Sequence, residues 1–142
     1  MDQELEKKLN AIVMICIDGN KGYATAAENI SHTDLQTLFN RLSQQRKLFI
    51  EELKQDARSV GITLNDDGSV EGFFHRTWLS TKAFFSTQTL ESVIESSLTG
   101  EEKAIEVYTE TISEDIPSFI KERLINQLAL IKVALNQLNN LK

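Results

Sequence analysis

Three glutamates and one histidine are the residues of this sequence best suited to bind a metal ion. Glu28, Glu101 and Glu102 lie in stretches with helical apolar spacing, whereas His75 lies in the aromatic-rich middle of the chain. Helical bundles bind iron and other divalent metals with a glutamate from each of two helices and Glu-x-x-His from each of the other two. The sequence contains no Glu-x-x-His. It therefore predicts at most a degenerate or atypical site for iron or another divalent metal at these four residues.

The helical stretches also carry polar residues at positions that should face inward. Asp18 and Gly19 in the first stretch would lie level with Gln45 and Arg46 in the second if the two stretches pack as a hairpin. An Asp18–Arg46 ion pair would neutralise both charges, and the glycine would let the two helices approach closely. These residues therefore predict a polar layer that fixes the helix register. With Glu101, they could instead form a small polar cavity for an apolar or amphipathic ligand.

Glu101 occupies a position on the apolar face of its own stretch. If the last two stretches fold as a hairpin, it lies level with Ile131. A carboxylate that faces the interior needs a cation or a protonated partner. Alternatively, the side chain turns toward the helix edge and pairs with Lys103 or Lys132.

Four long amphipathic stretches would position these residues. Apolar residues recur every three or four positions, which is the spacing of a helix face buried in a bundle. The chain has a single proline, Pro117, and it falls at a junction between stretches, which agrees with long uninterrupted helices. The predicted helices cover residues of about 2–30, 34–59, 88–114 and 117–141.

The segment between the second and third helices, about 61–87, is long enough to cross the full length of a bundle and to contain a short helix. Such a crossover favours an all-α, ferritin-like four-helix bundle, with two antiparallel hairpins joined by the crossover in a single domain over 1–142. The runner-up is an up-and-down bundle with the middle segment as an appended lid.

The composition disfavours several classes of protein. A single cysteine excludes an internal disulfide and a multi-cysteine metal site, and Cys16 falls on an apolar helix face. A net charge of -6 disfavours nucleic acid as a partner. The longest apolar run, residues 11–17, is too short for membrane insertion and no signal sequence is visible, so a cytoplasmic location is expected. The common nucleotide-binding and nucleophile motifs are missing, which favours a protein that is not an enzyme.

The middle segment is unusually aromatic. It includes Trp78 and four phenylalanines between residues 73 and 85. Aromatic residues on a connecting segment usually seal the end of a bundle or form an oligomer contact. A homo-oligomer, most simply a dimer, is therefore expected.

Four motifs of the chain resemble those of one protein family. They are Asp18-Gly19-x-Lys21-Gly22-Tyr23, Gln45-Arg46-x-x-Phe49, Gly72-x-x-His75-Arg76-x-Trp78 and Gly100-Glu101-x-x-Ala104. The family consists of bacterial ferritin-like four-helix bundles that carry only a domain-of-unknown-function label. The resemblance implies a rubrerythrin-like fold and no established activity, with His75, Arg76 and Trp78 in its most specific motif. Members often have a histidine late in the fourth helix, whereas residues 133–137 of this chain contain none, which argues against a metal site.

Two functions follow as hypotheses. The first is a non-enzymatic, oligomeric bundle with a structural, interaction or stress-related role. The alternative is a metal-binding ferritin-like protein with a degenerate carboxylate site.

Overall fold

The computed structural model describes residues 2–65 and 89–142, and within those ranges the chain is all-α. Four helices and no strand are present there, so the prediction of four helices is confirmed. The helices are α1 (Asp2–Asn29), α2 (Thr33–Arg58), α3 (Leu90–Ile112) and α4 (Ser118–Asn139). The predicted crossover beyond Asn65, its short helix and the residues His75, Arg76 and Trp78 lie outside the described residues.

Local sequence signals set the helix ends. His32 caps α2, because its Nδ1 accepts a hydrogen bond from the Leu35 backbone N–H at 3.3 Å, and Thr89 caps α3 with its side-chain oxygen. After α2, Gly61 adopts a φ of +81°, the left-handed conformation that glycine tolerates best. Pro117 is the N-cap residue of α4 and lies immediately before the first helical residue, Ser118. The sequence predicted it as the first residue of the helix.

Each helix packs against two others. α1 contacts α2 and α3, and α4 also contacts α2 and α3. The buried apolar residues form two clusters along the bundle, one that includes Cys16 and Phe49 and one that includes Tyr23 and Phe39. On α2 the two clusters meet around Arg46, which lies between Leu42 and Phe49. The apolar core is thus divided by a polar layer.

The longest apolar run of the sequence belongs to this core. Ile12, Val13 and Cys16 of α1 are completely buried. Of the helices in residues 2–65 and 89–142, none is long and apolar enough to cross a membrane. The run is accounted for by packing against the other helices.

Candidate functional site

A doubly hydrogen-bonded ion pair lies in the polar layer between the two apolar clusters. The guanidinium of Arg46 on α2 donates to both carboxylate oxygens of Glu101 on α3, with Nη1–Oε1 at 2.7 Å and Nη2–Oε2 at 2.6 Å. Arg46 is 1% exposed and Glu101 is fully buried. Such a parallel pair of charge-assisted bonds is the strongest geometry available to these two groups. Glu101 therefore faces the interior, and its cation is an arginine.

Tyr23 on α1 completes the surroundings of the carboxylate. Its hydroxyl donates to Glu101 Oε2 at 2.8 Å. The Tyr23 ring and the Phe49 ring also face the Arg46 guanidinium carbon, at 5.7 and 5.9 Å from their centroids. Aromatic faces stabilise a cation at this distance. Three helices thus contribute to one buried ion-pair cluster, which consists of Tyr23, Arg46, Phe49 and Glu101.

Gly19 gives Arg46 the space it occupies. A Cβ atom built on Gly19 would lie 3.2 Å from Arg46 Nη1 and 3.3 Å from Arg46 Cγ. Glycine inside a helix costs about 1 kcal/mol relative to alanine. The close approach of the arginine explains why that cost is tolerated in the middle of α1, and it agrees with the close packing expected at this glycine.

The other predicted members of the polar layer have smaller roles. Gln45 lies beside the ion pair, and its Oε1 accepts a bond from Arg46 Nε at 3.3 Å. Asp18 is half-buried on α1. The ion pair of Arg46 is with Glu101, whereas the sequence suggested Asp18. The suggested partner was wrong because the guanidinium reaches past α1 to the carboxylate on α3.

The lysines proposed as alternative partners of Glu101 are not its neighbours. Lys103 pairs with Glu106 along α3, with Nζ–Oε1 at 3.4 Å, and Lys132 is exposed on α4. Because Glu101 is fully buried, the alternative in which it turns to the helix edge is excluded.

A second polar network connects the core to the surface. The Tyr108 hydroxyl donates to Gln127 Oε1 at 2.7 Å and therefore accepts from the Cys16 thiol, whose sulfur lies at 3.3 Å. The amide nitrogen of Gln127 donates to the Phe49 carbonyl oxygen at 3.3 Å and to Glu52 Oε1 at 3.0 Å. Gln127 is 1% exposed. The network links all four helices.

The outer end of this network is a surface ion-pair cluster. Arg123 on α4 donates from Nε to Asp56 Oδ2 at 2.9 Å and from Nη1 to Glu52 Oε2 at 3.2 Å. Because Glu52 also accepts from Gln127, the surface pair orients the buried amide.

Sequence reasoning missed Tyr108 and Gln127 as polar partners. A signal for Gln127 was present, since it lies three residues after Leu124 and four before Ile131, on the apolar face of α4. A buried glutamine must have hydrogen-bond partners. Tyr108 carried no such signal, because its ring fits an apolar position and its hydroxyl partner depends on packing.

Burial changes the ionisation of these groups in a consistent direction. Desolvation raises the pKa of the Cys16 thiol to about 11 and raises the pKa values of Tyr23 and Tyr108 well above their usual range. Desolvation alone would lower the pKa of Arg46, but the carboxylate of Glu101 outweighs it, and the net shift is upward. The arginine is therefore charged, and the thiol and phenols are neutral, at physiological pH.

The raised pKa of the buried Cys16 thiol predicts that the protein loses stability in alkaline solution. The unfolded thiol, with its pKa near 9.0, gives up its proton before the folded thiol does at about 11. Over that window the unfolded state binds fewer protons, so the free energy of unfolding falls by about 1.4 kcal/mol per pH unit for each such group. Urea unfolding between pH 8 and 11 should show this fall. The slope should be shallower in Cys16→Ala, and a stability that is constant over the window would contradict the prediction.

The three glutamates predicted as metal ligands do not come together in the described part of the chain. Glu28 and Glu102 are exposed, Glu101 is buried in its ion pair, and His75 lies outside the described residues. Within residues 2–65 and 89–142, no group of three or more histidine, cysteine, aspartate or glutamate side chains could hold a metal ion.

Residues 2–65 and 89–142 thus form four helices around a charged, hydrogen-bonded interior. The sequence matches the family described as Domain of unknown function (DUF2383) over residues 4–114, and the chain belongs to that family. The match covers all but the first two residues of α1 and the whole of α2 and α3, including Arg46 and Glu101. No curated protein and no solved structure matches the chain.

Proposed function

We propose that this protein is a ferritin-like four-helix bundle in which an arginine–glutamate pair takes the place of a metal centre, and that it acts as a structural or interaction protein without catalysis. The observation that carries the proposal is the Arg46–Glu101 pair, with both carboxylate oxygens engaged by one guanidinium. Its surface would then be the part of the molecule that acts on other molecules.

The helix contacts support the ferritin-like topology. On α1 and α2, Gly19 approaches Arg46 while Asn20 bonds to Ser43, so residue numbers rise on one helix as they fall on the other. Between α1 and α3 the pairs are Cys16 with Tyr108 and Tyr23 with Glu101, again in opposite order. These pairs favour a parallel arrangement of α2 and α3, as in a bundle with one long crossover.

The length of the intervening chain is compatible with that crossover. α2 has 26 residues and is therefore about 39 Å long at about 1.5 Å per residue. Residues 62–89 separate Gly61 from α3, and an extended chain spans up to about 3.3 Å per residue. The segment could cover the length of the bundle twice.

Electrostatics argue against a divalent ion at Glu101. A metal bound to this carboxylate would lie near the buried guanidinium. At a separation of about 4 Å and an effective dielectric of about 20, a divalent ion and a guanidinium repel by about 8 kcal/mol. Displacement of Arg46 would instead leave a buried cation without its partner, which costs several kcal/mol. Both routes oppose metal binding.

Equilibrium dialysis tests the proposal. Untagged protein is dialysed against Fe(II) under anaerobic conditions, and separately against Zn(II), and bound metal is measured by elemental analysis. We expect Glu101→Gln to bind the same small amount as the wild type, because the carboxylate is already occupied. Glu102→Gln, at the exposed neighbouring position, is the control for weak surface binding.

Stoichiometric binding that is lost in Glu101→Gln and retained in Glu102→Gln would overturn the proposal. It would establish the metal-binding alternative in its place.

A further inference from the structure

We infer that the outer face of α4 is a self-association surface, and that its occupant is the same face of a second copy of this chain. This inference rests on the proposed function, in which the protein acts through its surface. We call the face the α4 surface. It consists of Leu48 on α2 and of Phe119, Ile125, Ala129, Leu130 and Val133 on α4.

The α4 surface collects most of the apolar side chains that the described part of the chain exposes. Seven large hydrophobic residues are exposed in residues 2–65 and 89–142, and four of them lie on α4. Their exposed fractions are 44% for Phe119, 49% for Ile125, 47% for Leu130 and 53% for Val133. The same outer face also carries exposed polar residues such as Glu122 and Lys132. Apolar side chains exposed together and rimmed by polar residues mark an interaction surface. The inner face of α4 packs on the bundle, which leaves the outer face to be covered.

Leu48 extends this surface onto the neighbouring helix. Arg41 on α2 donates to Gln137 on α4. Leu48 lies seven residues after Arg41, and Leu130 lies seven before Gln137, which is about two helical turns in each case. Contacts between Gln127 and Phe49 confirm that α2 and α4 run past each other in this register. Leu48 and Leu130 are therefore at the same level of the bundle, and Leu48 is 58% exposed.

The pattern on α4 is suited to pairing with itself. Ile125, Ala129 and Val133 are spaced by four residues and form one ridge along the helix. In a two-fold dimer centred on Ala129, Ile125 of one copy meets Val133 of the other, and the small alanine side chains allow the helices to approach closely. None of these three residues is charged, so the ridge itself brings no like charges together.

The size of the surface fits a dimer. The five large side chains are about half-exposed, and four of them are aliphatic and smaller than an aromatic side chain, which buries about 150–250 Å². They therefore offer roughly 350 Å² of apolar area. A standard interface buries about 800 Å² on each partner, a little over half of it apolar. The polar residues beside the ridge, such as Asn126 and Asn136, would supply the rim.

The chain leaves its first described range on the other side of the bundle. Asn65 lines a cavity with Asn10 and Met14 of α1. α1 packs on α2 and α3, which places it across the bundle from α4. The chain therefore leaves its first described range on the side of the bundle away from the α4 surface. A second copy presents the same apolar surface, so two copies related by a two-fold axis can cover each other.

Sedimentation velocity on the full chain tests the inference. We expect a concentration-dependent dimer for the wild type and at least a tenfold larger dissociation constant for Leu130→Glu, because the substitution would bury a charge in the interface. Leu90→Glu is the matched control, since Leu90 is 40% exposed but lies at the start of α3. Circular dichroism should show the same helix content for both variants.

A cysteine cross-link tests the position of the two-fold axis. Ala129→Cys should form an intermolecular disulfide on mild oxidation, because such a bond requires Cα atoms within about 7 Å. The native Cys16 is buried and does not compete. Thr99→Cys, at an exposed site on α3, should remain reduced under the same conditions.

A wild type that is monomeric at all concentrations would overturn the inference, and so would a dimer unaffected by Leu130→Glu. The first result would point to another occupant, such as the chain's own middle segment or a different protein. Neither result depends on metal binding at Glu101, so failure of this inference is distinguishable from failure of the proposed function.

Discussion

Replacement of Glu101 by alanine is expected to lower the free energy of unfolding by about 3–5 kcal/mol. The substitution leaves the Arg46 guanidinium 1% exposed and without its carboxylate, and it removes the acceptor of the Tyr23 hydroxyl. Neither group can reach water without opening the bundle. Since small domains are stable by only about 5–15 kcal/mol, the loss is a large part of the total.

Chemical denaturation of the wild type and Glu101→Ala measures this effect. Glu102→Ala is the matched control, because it removes the same group from an exposed neighbouring position and should change stability by less than about 0.5 kcal/mol. The combined change Tyr23→Phe, Arg46→Met and Glu101→Leu should recover most of the loss, since it replaces the polar groups by apolar ones of similar size. If Glu101→Ala is as stable as Glu102→Ala, the ion pair is not buried as described.

The second large effect is expected at Gln127. Substitution of Gln127 by alanine should lower the free energy of unfolding by about 2–4 kcal/mol. It leaves a small cavity and removes the hydrogen-bond acceptor of the buried Tyr108 hydroxyl. The bond to the Phe49 carbonyl oxygen is lost as well. The double variant Tyr108→Phe/Gln127→Leu removes both the donor and the acceptor of this hydrogen bond. It should lower the free energy of unfolding by less than Gln127→Ala alone, because no buried polar group is left without a partner.

Thermal and urea unfolding of Gln127→Ala and Asn126→Ala check the prediction. Asn126 is the adjacent residue of the same helix and also carries an amide, but it is exposed, so its replacement should have little effect. Equal stabilities for the two variants would show that the Cys16–Tyr108–Gln127 network does not contribute to folding.

The sequence was sufficient to predict the four helices and to place Glu101 on an apolar helix face. Apolar spacing and a single proline indicated four long helices, and the structure has four in its described ranges. Periodicity put Glu101 on an apolar helix face, but it left open whether the side chain faces inward or turns to the helix edge, and the structure shows it buried. Those features depend on residues within one helix, where spacing and geometry are directly linked.

The partner of Glu101 could not be predicted in the same way. The sequence suggested Asp18 as the partner of Arg46 because the two lie level in a hairpin, whereas the pairing with Glu101 depends on how far the arginine side chain extends between helices. Gly19 contributes to this choice, because a Cβ there would crowd Nη1 and Cγ of the extended Arg46 side chain. The Tyr108–Gln127 bond likewise depends on packing between α3 and α4, which no local pattern encodes.

The Arg46–Glu101 ion pair also changes how Glu101 and Glu102 are interpreted as possible metal ligands. From sequence, Glu101 and Glu102 could both have been metal ligands. In the structure the first is committed to Arg46, and the second is exposed at the surface of α3. A carboxylate on the inner face of a bundle is therefore not by itself evidence for a metal centre.

The most direct test of the central claim is a crystal structure of the wild-type protein grown with Zn(II), with anomalous diffraction collected at the zinc edge. The claim is that Arg46 occupies the place that a metal would take beside Glu101. The expected result is an intact Arg46–Glu101 pair with no anomalous peak within coordination distance of the Glu101 carboxylate, about 2.0–2.2 Å. An anomalous peak at that distance, with Arg46 displaced from the carboxylate, would contradict it.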